Sequence, residues 1–190
     1  MIHAAISRHD AKSTGPLIPA ISSIFAEVFG EPPYCEGPDD VVHWLKDLDV
    51  QLTRPGFELV LATEDRKPVG FAYGYTMTPD MPRWQKLVEP FMQNFPGSAQ
   101  VLEQGRMFTL MEFAVLKPWR GRRVGKALHD ALLERRDEPL ALLTVRPDAE
   151  RAQAVYATWG WRKVGHRPRA KGPGYDVLVR ALKGQARSWA

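Results

Sequence analysis

The chain has 190 residues, of which 44% are hydrophobic and 25% charged, and its formal net charge is +4. This length suits one domain and suffices for a hydrophobic core that needs no metal or disulfide to fold. The composition excludes a wholly disordered chain, because disorder accompanies low hydrophobicity and high net charge. The charge is uneven: residues 1–95 carry 8 Lys/Arg and 13 Asp/Glu, whereas residues 96–190 carry 18 and 9. The basic half is therefore expected to bind an anion.

Cys35 is the only cysteine in the sequence, which excludes an intrachain disulfide and a cluster of thiolate metal ligands. We therefore expect no metal. A single thiol is typical of a reducing compartment. The first ten residues lack the pattern of a signal peptide, and the uncharged stretch 13–26 is too short and too polar to span a bilayer. The sequence predicts a cytoplasmic protein with no membrane partner.

The first half of the chain predicts helices that precede a β-hairpin. The predicted elements are, in chain order, a strand over 2–8, helices over 15–29 and 40–50, and strands over 57–63 and 69–76. The last two strands are expected to pair because their connector is short. Residues 78–105 contain four prolines around an amphipathic stretch. We interpret them as an inserted loop with one short helix over 84–95.

The second half alternates strands and helices. The predicted elements are a strand over 108–116, a helix over 124–136, a strand over 141–145, a helix over 149–159, and strands over 161–165 and 175–182. The strand over 108–116 is apolar on both faces apart from Glu112, which predicts burial on both sides. His129 is expected on the surface of its helix. The element order indicates an α/β protein with a mixed sheet and helices on both faces.

The segment from Val115 to Lys126 connects a predicted strand to the following helix. It contains two glycines and no carboxylate. Its five cations are Lys117, Arg120, Arg122, Arg123 and Lys126. Backbone N–H groups at a helix start bind phosphate well, and glycines allow the ligand to approach. The spacing is one residue short of the Walker A motif, and the dinucleotide motif G-x-G-x-x-G is absent. The segment predicts a pyrophosphate site; a nucleic-acid patch and a solvated basic helix start are the alternatives.

These residues resemble the GNAT superfamily of acyl-CoA N-acyltransferases. The family motif Q/R-x-x-G-x-G/A is similar to Arg120–Gly125, except that Arg123 stands where the first glycine is usual. The later motif N-x-x-A-x-x-x-Y-x-x-x-G-F is similar to the segment that begins at Ala149, which replaces the asparagine, and contains Tyr156. The two motifs occur in the family's order. The resemblance covers residues 57–182 by element order.

The resemblance implies one acyltransferase domain over 1–190, with a central, mostly antiparallel sheet splayed at the cofactor cleft. Within it, residues 1–56 would form a variable helical acceptor region, residues 57–182 the cofactor-binding core, and residues 78–105 an insertion. Acetyl-CoA is implied as co-substrate. Its pantetheine arm would contact the backbone of Phe113, Ala114 and Val115, and its pyrophosphate the amides of Gly121, Arg122, Arg123, Val124, Gly125 and Lys126. The side chain of Arg120 would orient this loop.

Two residues are candidates for the chemistry. By resemblance, the phenol of Tyr156 would protonate the leaving thiolate; the alternative is a packed amphipathic tyrosine. Glu112 is the only ionisable residue in an apolar strand, which makes it a candidate general base, directly or through water. The alternative, left open, is a structural carboxylate paired with an arginine such as Arg106 or Arg146. The N–H of Val115 would stabilise the oxyanion, again by resemblance.

The resulting prediction is an N-acetyltransferase that moves an acetyl group from acetyl-CoA to a primary amine by direct attack in a ternary complex. The acceptor is expected to be a small-molecule or peptide amine. Residues 31–49 contain six acids, Glu31 among them, against one lysine, and could attract a cationic acceptor. The alternatives are a non-catalytic acyl-CoA-binding sensor and a nucleic-acid-binding protein, which the missing helix-turn-helix or zinc pattern disfavours. A homodimer through the closing strands is the hypothesis for assembly.

Overall fold

The computed structural model describes residues 4–95 and 97–182. Within these residues the strands are β1 (Ala5–His9), β2 (Glu58–Glu64), β3 (Lys67–Met77), β4 (Met107–Val115), β5 (Leu140–Val145), β6 (Arg162–Arg167) and β7 (Tyr175–Ala181). The α-helices are α1 (Ala11–Thr14), α2 (Ile18–Phe29), α3 (Pro38–Gln51), α4 (Pro82–Leu87), α5 (Ser98–Gln104), α6 (Val124–Leu133) and α7 (Glu150–Thr158). Short 3-10 segments span Gly15–Leu17, Glu89–Asn94 and Lys117–Trp119.

The strands form one sheet in the order β1-β2-β3-β4-β5-β7-β6. The pairs β1–β2, β2–β3, β5–β7 and β6–β7 are antiparallel, whereas β4 and β5 are parallel. A parallel pair needs a crossover connection, and α6 lies in this one. The parallel register comprises Phe108↔Ala141 and Thr109↔Leu142. The predicted α/β class with a mixed, mostly antiparallel sheet is therefore confirmed, and the predicted splay of the sheet stays a prediction.

The hairpin predicted between the strands over 57–63 and 69–76 is confirmed as β2–β3. Its turn residues, Asp65 and Arg66, have φ values of 47° and 63°. Two consecutive residues with positive φ are typical of a type I′ turn, whose twist matches that of the paired strands. The turn therefore forms without the glycine that such turns favour. The predicted first strand began at residue 2, which lies outside the described residues, and β1 begins at Ala5.

The described chain groups into two compact units. The first comprises residues 4–75 and 110–135, with β1, β2, α1–α3, α6 and most of β3 and β4. In this unit α6 packs against β1 and β2, and Ile21, Leu48 and Leu128 are fully buried. All three residues lie within helices that apolar spacing predicted. The spacing therefore identified the buried faces.

The second unit comprises residues 76–109 and 136–182. Its core includes the fully buried side chains of Leu142, Val177 and Val179 on β5 and β7. The 3-10 segment Glu89–Asn94 packs on β6. A Cβ built on Gly165 would lie 2.4 Å from ring atoms of Phe91. The ring therefore fits against β6 only because residue 165 has no side chain.

The inserted segment differs from its prediction. Residues 78–105 form α4, a 3-10 segment and α5 in the described part of the chain, rather than one helix over 84–95. The α-helical hydrogen bonds stop at Val88, and Pro90 has no N–H with which to continue them. The proline therefore divides what the apolar spacing alone predicted as one helix.

Two predictions about burial were incomplete or wrong. The strand β4 is buried at both ends, but residues 111–113 are half-buried. His129, expected on the surface, is fully buried, with its Nδ1 3.1 Å from Oδ1 of Asp130. The helix α6 contacts two neighbouring strands, and it therefore buries a wider face than a single apolar stripe.

Candidate active site

The loop between β4 and α6 has a left-handed backbone at two positions. Gly121 has a φ of 76°, and Arg123 has a φ of 64°. A glycine takes this conformation without steric cost, whereas another residue gives up about 1 kcal/mol or more. Arg123 stands where the resemblance expects a glycine. The backbone conformation at this position supplies the physical reason for that expectation.

The N-terminus of α6 has no side-chain cap among the described residues. Its N-cap is Arg123, whose guanidinium contains donors and no acceptor. The first turn contains no acidic residue. The amides of a first helical turn have no acceptor within the helix, and the helix dipole adds positive potential there. This N-terminus is therefore suited to an anion.

The five cations of the loop have different surroundings. The guanidinium of Arg120 donates from Nε to the carbonyl oxygen of Val115 (2.8 Å) and from Nη1 to Oε2 of Glu31 (2.6 Å). The guanidinium of Arg122 lies 5.3 Å from the ring centre of Trp119. The other cations are exposed: Lys117, Arg123 and Lys126, the last of which pairs with Asp130. Arg120 therefore stabilises the loop, while its neighbours face solvent.

The end of β4 lies tightly against β3. The N–H of Leu116 donates to the carbonyl oxygen of Val69 (3.0 Å). A Cβ built on Gly70 would lie 2.8 Å from the carbonyl oxygen of Ala114 and 3.2 Å from side-chain atoms of Val115 and Leu128. Only a glycine at position 70 allows this approach. Sequence reasoning missed Gly70, although a glycine inside a strand pattern is a known sign of close backbone contact.

Glu112 is half-buried on β4 and lies close enough to Tyr73 to affect its ionisation. Burial, followed by the negative charge of Glu112, raises the pKa of Tyr73 well above its ordinary value, and a hydrogen bond from Trp44 acts in the opposite direction. Nε1 of Trp44 donates to the Tyr73 hydroxyl at 2.9 Å. Tyr73 is therefore a neutral phenol, and the negative charge of Glu112 helps to keep it so.

The two arginines proposed as alternative partners of Glu112 have other carboxylates beside them. Nη2 of Arg106 lies 3.0 Å from Oδ2 of Asp137, and Nη2 of Arg146 lies 2.5 Å from Oδ2 of Asp148. The sequence had not predicted the ion pairs of these arginines with Asp137 and Asp148. The two roles considered for Glu112 stay predictions.

Tyr156 belongs to the second unit and is 9% exposed on α7. Its ring makes edge contacts with Trp159 and Trp161, with ring centres 6.1 and 6.0 Å away. The backbone N–H of Trp161 donates to the carbonyl oxygen of Tyr156 (3.1 Å). The packing holds the phenol in one place, which a general acid also requires. Its role as an acid stays a prediction.

A buried carboxylate that sequence reasoning missed lies at the start of β7. Asp176 accepts from Nζ of Lys163 (2.7 Å), Nε2 of Gln153 (2.9 Å) and Nδ1 of His166 (2.9 Å). The register of β6 shifts between Lys163 and Gly165. Residues three apart on a regular strand lie on opposite faces, and this bulge brings Lys163 and His166 to the same carboxylate. No local sequence pattern predicts this cluster around Asp176.

The first unit contains the proposed cofactor residues and Glu112, whereas Tyr156 lies in the second unit. The cofactor candidates in the first unit are Phe113, Ala114, Val115, Arg120, Gly121, Arg122, Arg123, Val124, Gly125 and Lys126. The strand end, the loop and the helix start are consecutive, so the local sequence determines their proximity.

A family model described as the acetyltransferase (GNAT) family matches residues 18–161 of this chain. The chain belongs to the GNAT family. Membership supports acetyl transfer as its general activity and acyl-CoA as the acyl donor. The resemblance seen in the two sequence motifs is therefore confirmed, although each motif departs from the family pattern at one or more positions.

Solved structures of other proteins share the GNAT fold. The chain is similar to the ribosomal-protein-S18-alanine N-acetyltransferase of Escherichia coli, with 16% identity, 94% of each chain covered and a TM-score of 0.60. An acetyltransferase of Thermus thermophilus gives 17% identity, coverage of 96% of this chain and 100% of that one, and a TM-score of 0.60. The PaiA N-acetyltransferase of Thermoplasma acidophilum, solved with coenzyme A, gives 10% identity, coverage of 94% of this chain and 99% of that one, and a TM-score of 0.57. A sequence search of curated proteins finds no match.

Two departures from the GNAT pattern lie at helix starts. Arg123 is the N-cap of α6, and Ala149 is the N-cap of α7. Ala149 is buried, and its methyl group cannot make the polar contact of an asparagine.

Within residues 4–95 and 97–182, no group of three or more potential ligands could hold a metal ion. Across the same residues, every helix is too short or too polar to cross a membrane.

Proposed function

We propose that this GNAT protein transfers an acetyl group from acetyl-CoA to a primary amine by direct attack in a ternary complex. The observation that carries the proposal is the N-terminus of α6, where the N-cap Arg123 has no acceptor and the first turn has no acid. A pyrophosphate would accept from these amides and interact favourably with the helix dipole. The exposed side chains of Arg122 and Lys126 add positive charge beside it.

Acetyl-CoA supplies the acetyl group as an activated thioester. We assign the pyrophosphate to the amides of Gly121, Arg122, Arg123, Val124, Gly125 and Lys126, and the pantetheine arm to the backbone of Phe113, Ala114 and Val115. Two observations support this assignment: Gly121 has no atom within 4 Å of the position of a Cβ, and Gly70 and Arg120 hold the strand end in place. Arg120 acts by orienting the loop.

The chain's own residues then have three tasks. Glu112 would accept a proton from the ammonium form of the acceptor, directly or through water, since only a neutral amine attacks. The N–H of Val115 would donate to the carbonyl oxygen of the acetyl group as negative charge develops there. Tyr156 would give its proton to the sulfur as the carbon–nitrogen bond forms and the carbon–sulfur bond breaks. The nitrogen, which then carries one proton more than an amide, would pass that proton to the Tyr156 oxygen, directly or through water, and so restore the phenol. A positioned proton donor typically contributes about 10²- to 10⁴-fold in rate.

The acceptor in this proposal is a small-molecule or peptide amine. The acidic residues of segment 31–49 support a cationic one, because opposite charge favours encounter. We assign acceptor binding to residues 1–56 and to the insertion over 78–105, within one domain that has its cofactor core over 57–182. A cytoplasmic location and a homodimer through β6 and β7 complete the proposal.

The test measures coenzyme A release across a panel of amines, together with acetyl-CoA binding by calorimetry. With the best acceptor, Tyr156→Phe is expected to lower kcat about 10²- to 10⁴-fold while the Kd for acetyl-CoA stays within about threefold. Tyr175→Phe is the matched control, since it removes a hydroxyl that accepts from Arg169 in an exposed hydrogen bond. We expect it to retain wild-type turnover.

The outcomes separate the alternatives. Unchanged kcat in Tyr156→Phe would remove this residue from the mechanism. Acetyl-CoA binding without transfer to any amine would favour the sensor. Absence of acetyl-CoA binding, with salt-sensitive binding of nucleic acid instead, would refute the proposed use of the α6 N-terminus.

A further inference from the structure

Arg120 lies at the centre of a hydrogen-bonded chain of three residues. Its Nε donates to the carbonyl oxygen of Val115 at 2.8 Å, and its Nη1 donates to Oε2 of Glu31 at 2.6 Å. The side chains of Arg120 and Glu31 are 24% and 30% exposed. A guanidinium is planar, so fixing two of its nitrogens determines the orientation of the whole group. Glu31 therefore determines how Arg120 meets the strand end.

The peptide group that follows Val115 is held on both sides. The carbonyl oxygen of this peptide group, which belongs to Val115, accepts from Arg120. The N–H of the same peptide group, which belongs to Leu116, donates to the carbonyl oxygen of Val69 (3.0 Å). This peptide closes β4 and begins the loop that leads to α6. A peptide with both polar groups bonded has little freedom to rotate. The strand end is therefore oriented before any ligand arrives, which reduces the cost of binding.

We propose that Glu31 is a positioning residue for acetyl-CoA, acting through Arg120 on the peptide after Val115. The inference rests on the proposed function, which assigns the pantetheine arm to this strand end. Glu31 lies between α2 and α3, in the acceptor region, 89 positions before Arg120 in the sequence. The ion pair thus joins the acceptor region to the cofactor loop within the first unit.

The ion pair also affects the charge presented to the cofactor. Arg120 is one of five cations in the segment, but the carboxylate of Glu31 offsets its charge. Replacing that carboxylate by a neutral amide would weaken the hydrogen bond at Nη1 and leave the guanidinium held mainly at its Nε side, freer to turn toward an anion in the loop. The result would be a less ordered strand end. Partly exposed charge-assisted hydrogen bonds are of moderate strength, and we expect an effect on acetyl-CoA affinity of about threefold to tenfold.

The experiment is a double-mutant cycle on acetyl-CoA binding in the full chain. Glu31→Gln is expected to raise the Kd for acetyl-CoA about threefold to tenfold. Arg120→Gln is expected to raise it at least as much, and adding Glu31→Gln to Arg120→Gln should change it less than twofold, because Glu31 acts through Arg120. Glu27→Gln, which removes the same charge from an exposed position on α2, should bind like the wild type.

The readouts distinguish positioning from general stabilisation. Equal Kd values for wild type and Glu31→Gln, or a lower melting temperature with unchanged Kd, would overturn the inference. The same holds if Glu31→Gln has its full effect in the Arg120→Gln background. If the wild type itself does not bind acetyl-CoA, the proposed function fails instead.

Discussion

Gly70→Ala is the substitution that most directly tests how the end of β4 is held. The added methyl group would lie 2.8 Å from the carbonyl oxygen of Ala114 and 3.2 Å from atoms of Val115 and Leu128. The side chains can give way by small rotations, but the carbonyl belongs to the backbone of β4. Relief of the shortest contact therefore requires β3 and β4 to move apart, at the strand end assigned to the pantetheine arm.

The expected magnitude has two opposing parts. Overpacking in a core typically destabilises by about 1–3 kcal/mol, and a backbone contact at 2.8 Å places this site near the upper end. Replacing glycine by alanine restricts the unfolded chain and returns about 0.4–1 kcal/mol. The net destabilisation is about 2–2.5 kcal/mol. For a chain of this size that lowers the melting temperature by about 4–10 °C.

The assay is thermal unfolding by circular dichroism, with Gly15→Ala as the matched control. Gly15 has a φ of −46° and a ψ of −54°, and beyond its chain neighbours no atom lies within 4 Å of the position of its Cβ. Because Pro16 makes this backbone less favourable for alanine, we expect the same substitution there to lower the melting temperature, but by less than Gly70→Ala does. Weaker acetyl-CoA binding should accompany the loss of stability in Gly70→Ala. An equal or higher melting temperature for Gly70→Ala would refute the close approach of the two strands.

Two further substitutions test buried and strained positions. Burial raises the pKa of Asp176, but hydrogen bonds from Lys163, His166 and Gln153 together hold it below the ordinary 3.8. The stabilisation is therefore present above pH 3.8 and is lost as the pH falls through the folded-state value. Asp176→Asn should lower the free energy of unfolding by about 1–3 kcal/mol at pH 7, with a smaller gap near pH 3 in urea titrations; a constant gap would contradict this. Arg123→Gly should change stability by less than about 1 kcal/mol, because relief of the left-handed backbone offsets the added freedom of the unfolded chain. A larger loss in thermal unfolding would contradict the conformation at that position.

Local patterns predicted most of the secondary structure correctly. The helix that became α6 and the hairpin β2–β3 follow from apolar spacing and from a short connector, which act within a few residues. In the insertion, apolar spacing alone predicted one helix where the structure has a short helix and a 3-10 segment. The prediction was wrong because apolar spacing takes no account of the N–H that Pro90 lacks. The burial of His129 was missed for another reason, since it depends on how many strands α6 contacts.

The sequence by itself determined the fold class and the family. It also predicts an anion site over the segment from Val115 to Lys126, because strand end, glycines and helix start are consecutive there. The tertiary structure alone decided which partners hold that segment. Glu31 reaches Arg120 across 89 residues of sequence, and the position of Gly70 against Ala114 depends on strand pairing. Such contacts leave no periodic trace in the chain, because each arises only when separately encoded elements pack together.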